Sequence, residues 1–256
     1  GQEWTTQQDL AASGHHIRVS EVEPNLSALV AEPSVGIGQR ALFVETDDGN
    51  LLWDPPGFVD AAAAQWIRDR GGLAAIVASH PHMYGAQVSW SRAVGDVPVW
   101  VTGQDRGWVQ RDDACLRIWT GEEQVFPGIT LRTVGGHYPG SAVAIWSAGA
   151  EGRGVLLAGD TVAPGPSRRW VTFKRSFPND IPLSGAVVDR VATALNESAY
   201  DRLYGAFGNV IPENARAIVR ASADRHIAWV RGTPAPISLS VGARQKLGAP
   251  PVSSTV

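Results

Sequence analysis

His80 and His82 stand two residues apart in Ser79-His80-Pro81-His82, directly after the apolar run 73–78. In extended backbone, side chains at i and i+2 point the same way, so both imidazoles can face one point. His137 follows a glycine pair in Gly135-Gly136-His137-Tyr138-Pro139-Gly140, and Asp160 sits in Gly159-Asp160-Thr161. Each of these also comes just after a strand-like apolar run. Taken singly the motifs are weak: His-Pro-His reads equally well as a polar loop, and Gly-Asp commonly marks a turn. Together, three post-strand loops supply three neutral nitrogen donors and a carboxylate. That is the ligand set of a zinc-type or iron-type hydrolytic site, in loops where α/β sheets usually place their sites.

The elements that must hold these loops are visible in the patterning. Residues 41–46, the turn Asp47-Asp48-Gly49-Asn50 and residues 51–54 read as a β-hairpin. Pro55-Pro56-Gly57 ends it. An alanine-rich helix over 58–70 follows, with Val59, Ala63, Trp66 and Ile67 at helical spacing and Gly71-Gly72 as its C-cap. The run 73–78 is of buried-strand type. Further strands are predicted at 97–102, 116–119, 129–134, 142–146 and 154–158, with a helical turn at 104–110. Helices are predicted at 184–196 and 212–231, with a strand-loop at 203–211 between them. The first 38 residues look irregular, polar with short apolar pieces. Beyond Gly232 the chain turns Pro-, Ser- and Gly-rich. We therefore expect one domain over 1–232 and a flexible or draped tail over 233–256. Hairpins mixed with helices that follow buried strands point to sheets covered by helices.

Composition excludes several classes. With 256 residues, 44% hydrophobic, 18% charged and a net charge of -3, the chain is of ordinary soluble, globular type. No apolar stretch approaches the roughly 20 residues of a membrane span, and no basic patch marks a nucleic-acid surface. Cys115 is the single cysteine, which excludes an internal disulfide and a thiolate zinc cluster. A reducing, cytoplasmic location is the expectation. Ten tryptophans leave room for an aromatic-lined pocket. Met83 is the one methionine, so Gly1 is read as not a native start, with a removed leader or a tag scar left open.

The order of motifs resembles the metallo-β-lactamase fold superfamily over roughly residues 15–232. It includes the hairpin ending Leu51-Leu52-Trp53-Asp54, Ser79-His80-Pro81-His82, Gly135-Gly136-His137-Tyr138-Pro139-Gly140-Ser141, Leu156-Leu157-Ala158-Gly159-Asp160-Thr161 and the late strand-loop 204–211. The family motif His-x-His-x-Asp-His falls on 80–85. His80 and His82 match it, whereas Tyr84 stands at the aspartate position and Gly85 at the last histidine. His137 and Asp160 match the third histidine and the metal-bridging aspartate. Phe207 stands where the final metal histidine would be.

The resemblance implies an αβ/βα four-layer sandwich. It also implies that His80, His82 and His137 form the first metal site, with Asp160 shared. All the departures fall on the second site, so one divalent metal is expected: zinc, with iron or manganese as alternatives. Three histidines plus solvent suffice to lower the pKa of bound water to about 7. The leading function is a hydrolase with one metal-activated water, in which Asp160 and Tyr84 are catalytic. Its substrate would be small and apolar or aromatic: an ester, a lactone or an activated aryl ether. The rival is a non-catalytic subunit paired with a related, fully liganded partner; a third possibility is an oxidative non-haem iron enzyme. A homo-oligomer, or a hetero-oligomer with a related subunit, is expected.

Other residues invite plainer readings. His15-His16 is solvent-exposed or structural, His226 is capped or at the surface, and Cys115 is a small buried hydrophobe. Asp54 braces a loop or supports a ligand. Arg168-Arg169-Trp170 is a solvated turn, with binding of an anionic or aromatic group as the alternative. Tyr84 and Tyr138 adjoin the histidines, where a phenol packs or donates to an oxyanion. Met83, Tyr84 and Phe207 are expected to make the pocket apolar.

Overall fold

In the computed structural model, which describes residues 4–233, strand residues alternate between two apolar surroundings, and that alternation builds the fold. The first sheet runs in sequence order: β1 (His16–Glu23), β2 (Leu26–Glu32), β3 (Ala41–Val44), β4 (Leu51–Trp53), β5 (Ala75–Val77), β6 (Val99–Thr102) and β7 (Leu116–Trp119). β1 to β4 are antiparallel, and β4 to β7 are parallel. Helix α1 (Gln7–Ala12) precedes the sheet. Helices α2 (Ala61–Arg68) and α3 (Gln87–Ala93) make the crossovers that parallel neighbours require.

The second half contributes β8 (Glu122–Phe126), β9 (Ile129–Thr133), β10 (Ala142–Trp146), the single turn α4 (Gly149–Gly152) and β11 (Val155–Leu157). Two small hairpins follow, β12 (Ala163–Pro164) with β13 (Val171–Thr172) and β14 (Lys174–Ser176) with β15 (Ile181–Pro182). Helix α5 (Gly185–Asn196), β16 (Arg202–Tyr204), β17 (Val210–Ile211) and α6 (Ala215–Val230) complete it. The second sheet has the order β17-β16-β11-β10-β9-β8.

Successive strand residues face opposite sides, and here both sides are covered. In β3, Ala41 and Phe43 pack with Ile67 of α2 and Trp90 of α3, whereas Leu42 and Val44 enter the core between the sheets. In β10, Ala142, Ala144 and Trp146 join that central core, whereas Val143 faces Val188 of α5 and Val219 of α6. The result is helices, sheet, sheet, helices: the four-layer αβ/βα sandwich, with three apolar interlayers.

Local signals behaved as their chemistry demands. Asp60 caps α2 by accepting from Ala62 N, and its other oxygen accepts from Ile17 N, tying the helix to β1. Gly71 and Gly72 close α2 with positive φ, and Gly72 N donates to Ile67 O at 3.0 Å. The first 38 residues, expected to be irregular, instead hold the long hairpin β1–β2. Its short apolar pieces are strand faces, as Ile17 and Val19 alternating with Arg18 and Ser20 show. The segment 234–256, most of the expected tail, lies outside the described residues. Among the described residues no helix is long and apolar enough to cross a membrane.

Leu52 is fully buried in the outer core with Phe43, Ile67 and Ile76. Leu52→Ala is expected to cost about 2–5 kcal/mol, read as a lowered urea midpoint at unchanged slope. A loss below about 1 kcal/mol would mean that this core collapses around the deletion.

Candidate metal centre

Each chemically interesting side chain leaves the end of a strand. β5 runs into Ser79 and His80, and His80 is still extended (φ -168, ψ 172). Pro81–Met83 then forms a 3-10 turn with proline at its start. The two imidazoles therefore converge by turning the chain, not by the extended i, i+2 spacing. The loop 134–141 carries His137 between β9 and β10. It is closed by Val134 N and Gly135 N donating to Ser141 O, and by Tyr138 N donating to Ser141 Oγ at 2.7 Å. Gly140 N donates to the fully buried Asp105 Oδ1, and a Cβ on Gly140 would lie 2.2 Å from Thr102 Oγ1. Asp160 follows β11. Gly159 has φ +52, and a Cβ there would sit 2.4 Å from Ser79 Oγ. Only glycine lets the ends of β5 and β11 approach this closely.

His80, His82, His137 and Asp160 come together, with one donor atom of each within 4.8 Å of all the others. His82 Nδ1 is 3.2 Å from His80 Nε2 and 3.4 Å from His137 Nε2, and His80 Nε2 is 3.5 Å from an Asp160 oxygen. Donors about 2.0–2.1 Å from a single tetrahedral ion lie about 3.3–3.4 Å apart. The spacing therefore fits such an ion.

The outward nitrogens agree with that geometry. His137 Nδ1 faces the carbonyl of Lys174 at 3.1 Å. A carbonyl only accepts, so Nδ1 carries the proton and Nε2 presents a lone pair. His80 Nδ1 lies 2.9 Å from Ser79 Oγ, which donates to Asp54 Oδ2 at 3.0 Å; Ser79 N donates to Asp54 Oδ1 at 2.7 Å. His82 Nε2 is 3.1 Å from the Tyr138 hydroxyl. Burial, followed by the neighbouring imidazoles, holds His80 well below the ordinary histidine range; burial also lowers His82 and His137, with Arg175 adding to both. All three are thus neutral and ready to ligate. Burial pushes Asp54 up to about 7 and Asp160 up to about 6, and Asp160 Oδ1 is buried without a partner. A buried carboxylate oxygen without a partner beside three lone pairs forms a set that a cation would stabilise.

A cavity of about 500 Å³ opens on this group, with His82, His137, Tyr138 and Asp160 on one wall. Phe177, Pro178, Ile181, Ile37 and Phe207 make the rest largely apolar. Phe207 belongs to the exposed rim, at 48% exposure, and not to the floor. Tyr84 is not in this cavity, so its catalytic assignment is corrected. Its ring packs in the outer core and its hydroxyl lies near Thr102 and Asp105, where burial raises it above the ordinary tyrosine range. The residue after the 3-10 turn points inward beneath the site. Tyr138 holds the position by the histidines instead. Met83 is likewise core. Gly85 has open space around it.

Arg168 and Arg169 do not line the cavity, and Trp170 lies under the Arg225 guanidinium at 4.4 Å. His16 is in β1, His15 bonds near the end of α1, and the His226 ring meets the carbonyl of Leu183 at 2.8 Å. Cys115 is buried. The sequence pattern missed Arg175 and Phe177, which reach the cavity from the β14–β15 hairpin. Strands of two and three residues carry no usable periodicity; the turn-forming Pro178-Asn179-Asp180 was the available signal.

Comparison with known proteins agrees with this architecture. The family model described as the metallo-beta-lactamase superfamily matches residues 36–203. The chain is 38% identical over 229 residues to the uncharacterized protein YmaE of Bacillus subtilis (strain 168), covering 89% of this chain and 83% of that protein. Among solved structures, the DIM-1 metallo-beta-lactamase exposed to ceftazidime superposes with a TM-score of 0.60 at 14% identity, covering 84% of this chain and 98% of that one. The FIM-1 metallo-beta-lactamase from Pseudomonas aeruginosa in its mono-zinc form gives 0.58 at 14% identity, covering 82% and 96%.

Asp54 touches none of the proposed donors, yet it holds Ser79, which holds His80. Asp54→Ala is expected to weaken metal binding about 10–100-fold, measured by competition with a chromogenic chelator. Unchanged affinity would show that Ser79 alone orients the ring.

Proposed function

The chain belongs to the metallo-beta-lactamase superfamily, and on that footing we propose that it is a hydrolase working with one divalent cation, zinc being the first choice. The observation that carries this reading is the convergence of three neutral imidazole lone pairs and a buried carboxylate at ion-binding spacing on the wall of an apolar cavity. His80 Nε2, His82 Nδ1 and His137 Nε2 would hold the ion, with Asp160 as a fourth donor or as a partner of the attacking water. Bound there, the cation supplies Lewis acidity and lowers the pKa of water to about 7.

A second ion would have few donors. Gly85 has no side chain, Phe207 offers a phenyl ring, and the Tyr84 hydroxyl lies below the site with Thr102 and Asp105. The chain's own groups then divide the work. Asp160 Oδ1, buried and unpaired, takes the proton of the attacking water and returns it to the leaving oxygen. Tyr138 accepts from His82 Nε2–H, which leaves its own O–H to donate to the oxyanion that develops at the substrate. Ile181, Phe177 and Phe207 give the cavity apolar surface and favour a small apolar or aromatic substrate, an ester, a lactone or an activated aryl ether.

Elemental analysis should find close to one metal per chain, with chromogenic ester or nitroaryl ether hydrolysis abolished in His137→Ala. Asp160→Asn should cut turnover strongly and keep much of the metal; complete loss of metal would make Asp160 an essential ligand. Two metals per chain would overturn the single-ion reading. No metal and no turnover after addition of zinc, manganese or iron would favour an auxiliary subunit that acts with a related partner.

A further inference from the structure

The β14–β15 hairpin supplies Arg175, Phe177, Pro178 and Ile181 to the cavity. It is fastened to the metal group by two reciprocal bonds. His137 Nδ1 donates to Lys174 O at 3.1 Å, and Arg175 Nη1 donates to His137 O at 2.5 Å. The guanidinium also lies 5.3 Å from the centre of the Tyr138 ring. Its position is thus set by a carbonyl and an aromatic face, and its charge also reaches the buried carboxylate of Asp105 without a direct ion pair.

Among the described residues Arg175 has no carboxylate partner, whereas Lys174 on the same hairpin is paired with Asp180. Among the described residues Arg175 is the one arginine or lysine in the cavity lining, and Asp160, the one carboxylate among them there, is turned toward the histidines. Among the described residues Nη2 and Nε of Arg175 therefore have no hydrogen-bond acceptor, on a hairpin that otherwise lines the cavity with Ser176, Phe177, Pro178 and Ile181. A planar guanidinium with a free edge matches the two oxygens of a carboxylate, and Arg175 is exposed at the cavity wall, so an entering carboxylate can reach that edge.

We propose that Arg175 is the specificity residue of this site, and that the substrate bears a carboxylate on the apolar body that fills the cavity. This rests on the hydrolase reading above. In the reaction, water's oxygen forms a bond to the acyl carbon and the acyl–oxygen bond breaks. The proton passes to the leaving oxygen, and the carboxylate on Arg175 remains unchanged. Nothing is oxidised or reduced.

Two readouts test this on the metal-loaded full chain. In the first, mono-4-nitrophenyl glutarate and 4-nitrophenyl butyrate are compared as substrates. The ratio of their kcat/KM values should favour the glutarate, and should fall about 10–100-fold in Arg175→Gln, mainly through KM. Arg175→Lys keeps the charge and should restore only part of the ratio because it lacks the fork. The second readout is calorimetric binding of 3-phenylpropanoate against 3-phenylpropanamide. The acid should bind more tightly than the amide, and only the acid should weaken in Arg175→Gln. An unchanged ester ratio, or acid and amide bound alike, overturns the carboxylate subsite while hydrolysis of both esters leaves the hydrolase reading standing. Arg175-dependent binding of the acid without hydrolysis of either ester supports the subsite and removes the hydrolase reading.

Discussion

Three neutral imidazoles pointing their lone pairs at one spot is an arrangement that a protein has to enforce. The nitrogens lie 3.2–3.4 Å apart, and the His80 ring, 1% exposed, is shut off from water on its own side while His82 and His137 face the cavity. What makes it tolerable is the far side of each ring. Ser79, backed by Asp54, takes His80; the Tyr138 hydroxyl takes His82; the carbonyl of Lys174 takes His137. Each bond fixes an orientation, the carbonyl on His137 fixes a tautomer as well, and a ring released from its partner could turn its lone pair elsewhere.

Those partners come from distant parts of the chain, so the site requires the whole sandwich. Asp54 ends β4 and Ser79 follows β5, neighbouring parallel strands of the first sheet. Asp160 follows β11 in the second sheet. The sheets are held face to face by Trp53, Trp146, Leu131 and Leu157 in the central core. Gly159 is where they close most tightly on the site, its position leaving no space for a side chain against Ser79. Burial of apolar area supplies the stability, and the strand ends inherit a fixed geometry from it.

The cavity has a different origin from the metal group. Its donors belong to the two sheets, but much of its wall is a hairpin inserted between β13 and α5. Such an insertion can alter the shape and charge of the wall while leaving the donors in place, in keeping with the general separation of scaffold from specificity loops. Arg175, seated on the His137 carbonyl, is the point where the two parts touch.

Much of this was legible before any coordinates. Apolar runs placed β3 to β7 and β9 to β11, because a strand packed between layers must be apolar on at least one face, and the glycine-flanked His137 and Asp160 marked post-strand loops. Residue types at 80, 82, 137 and 160 specified nitrogen and oxygen donors, and those at 85 and 207 specified none. Orientation was not legible. Tyr84 is adjacent to the metal motif in the chain, yet a 3-10 turn of three residues sends its ring into the core and leaves Tyr138, 54 positions later, beside His82. Arg168 and Arg169 were nearer to Asp160 in sequence than Arg175, but the β12–β13 turn carries them away and the next hairpin carries Arg175 back. Sequence by itself determined which donors exist and which strands carry them, because burial imposes composition. Which side chains meet across the cavity was decided by tertiary structure alone, because turn direction depends on backbone angles that only the packed sheets select.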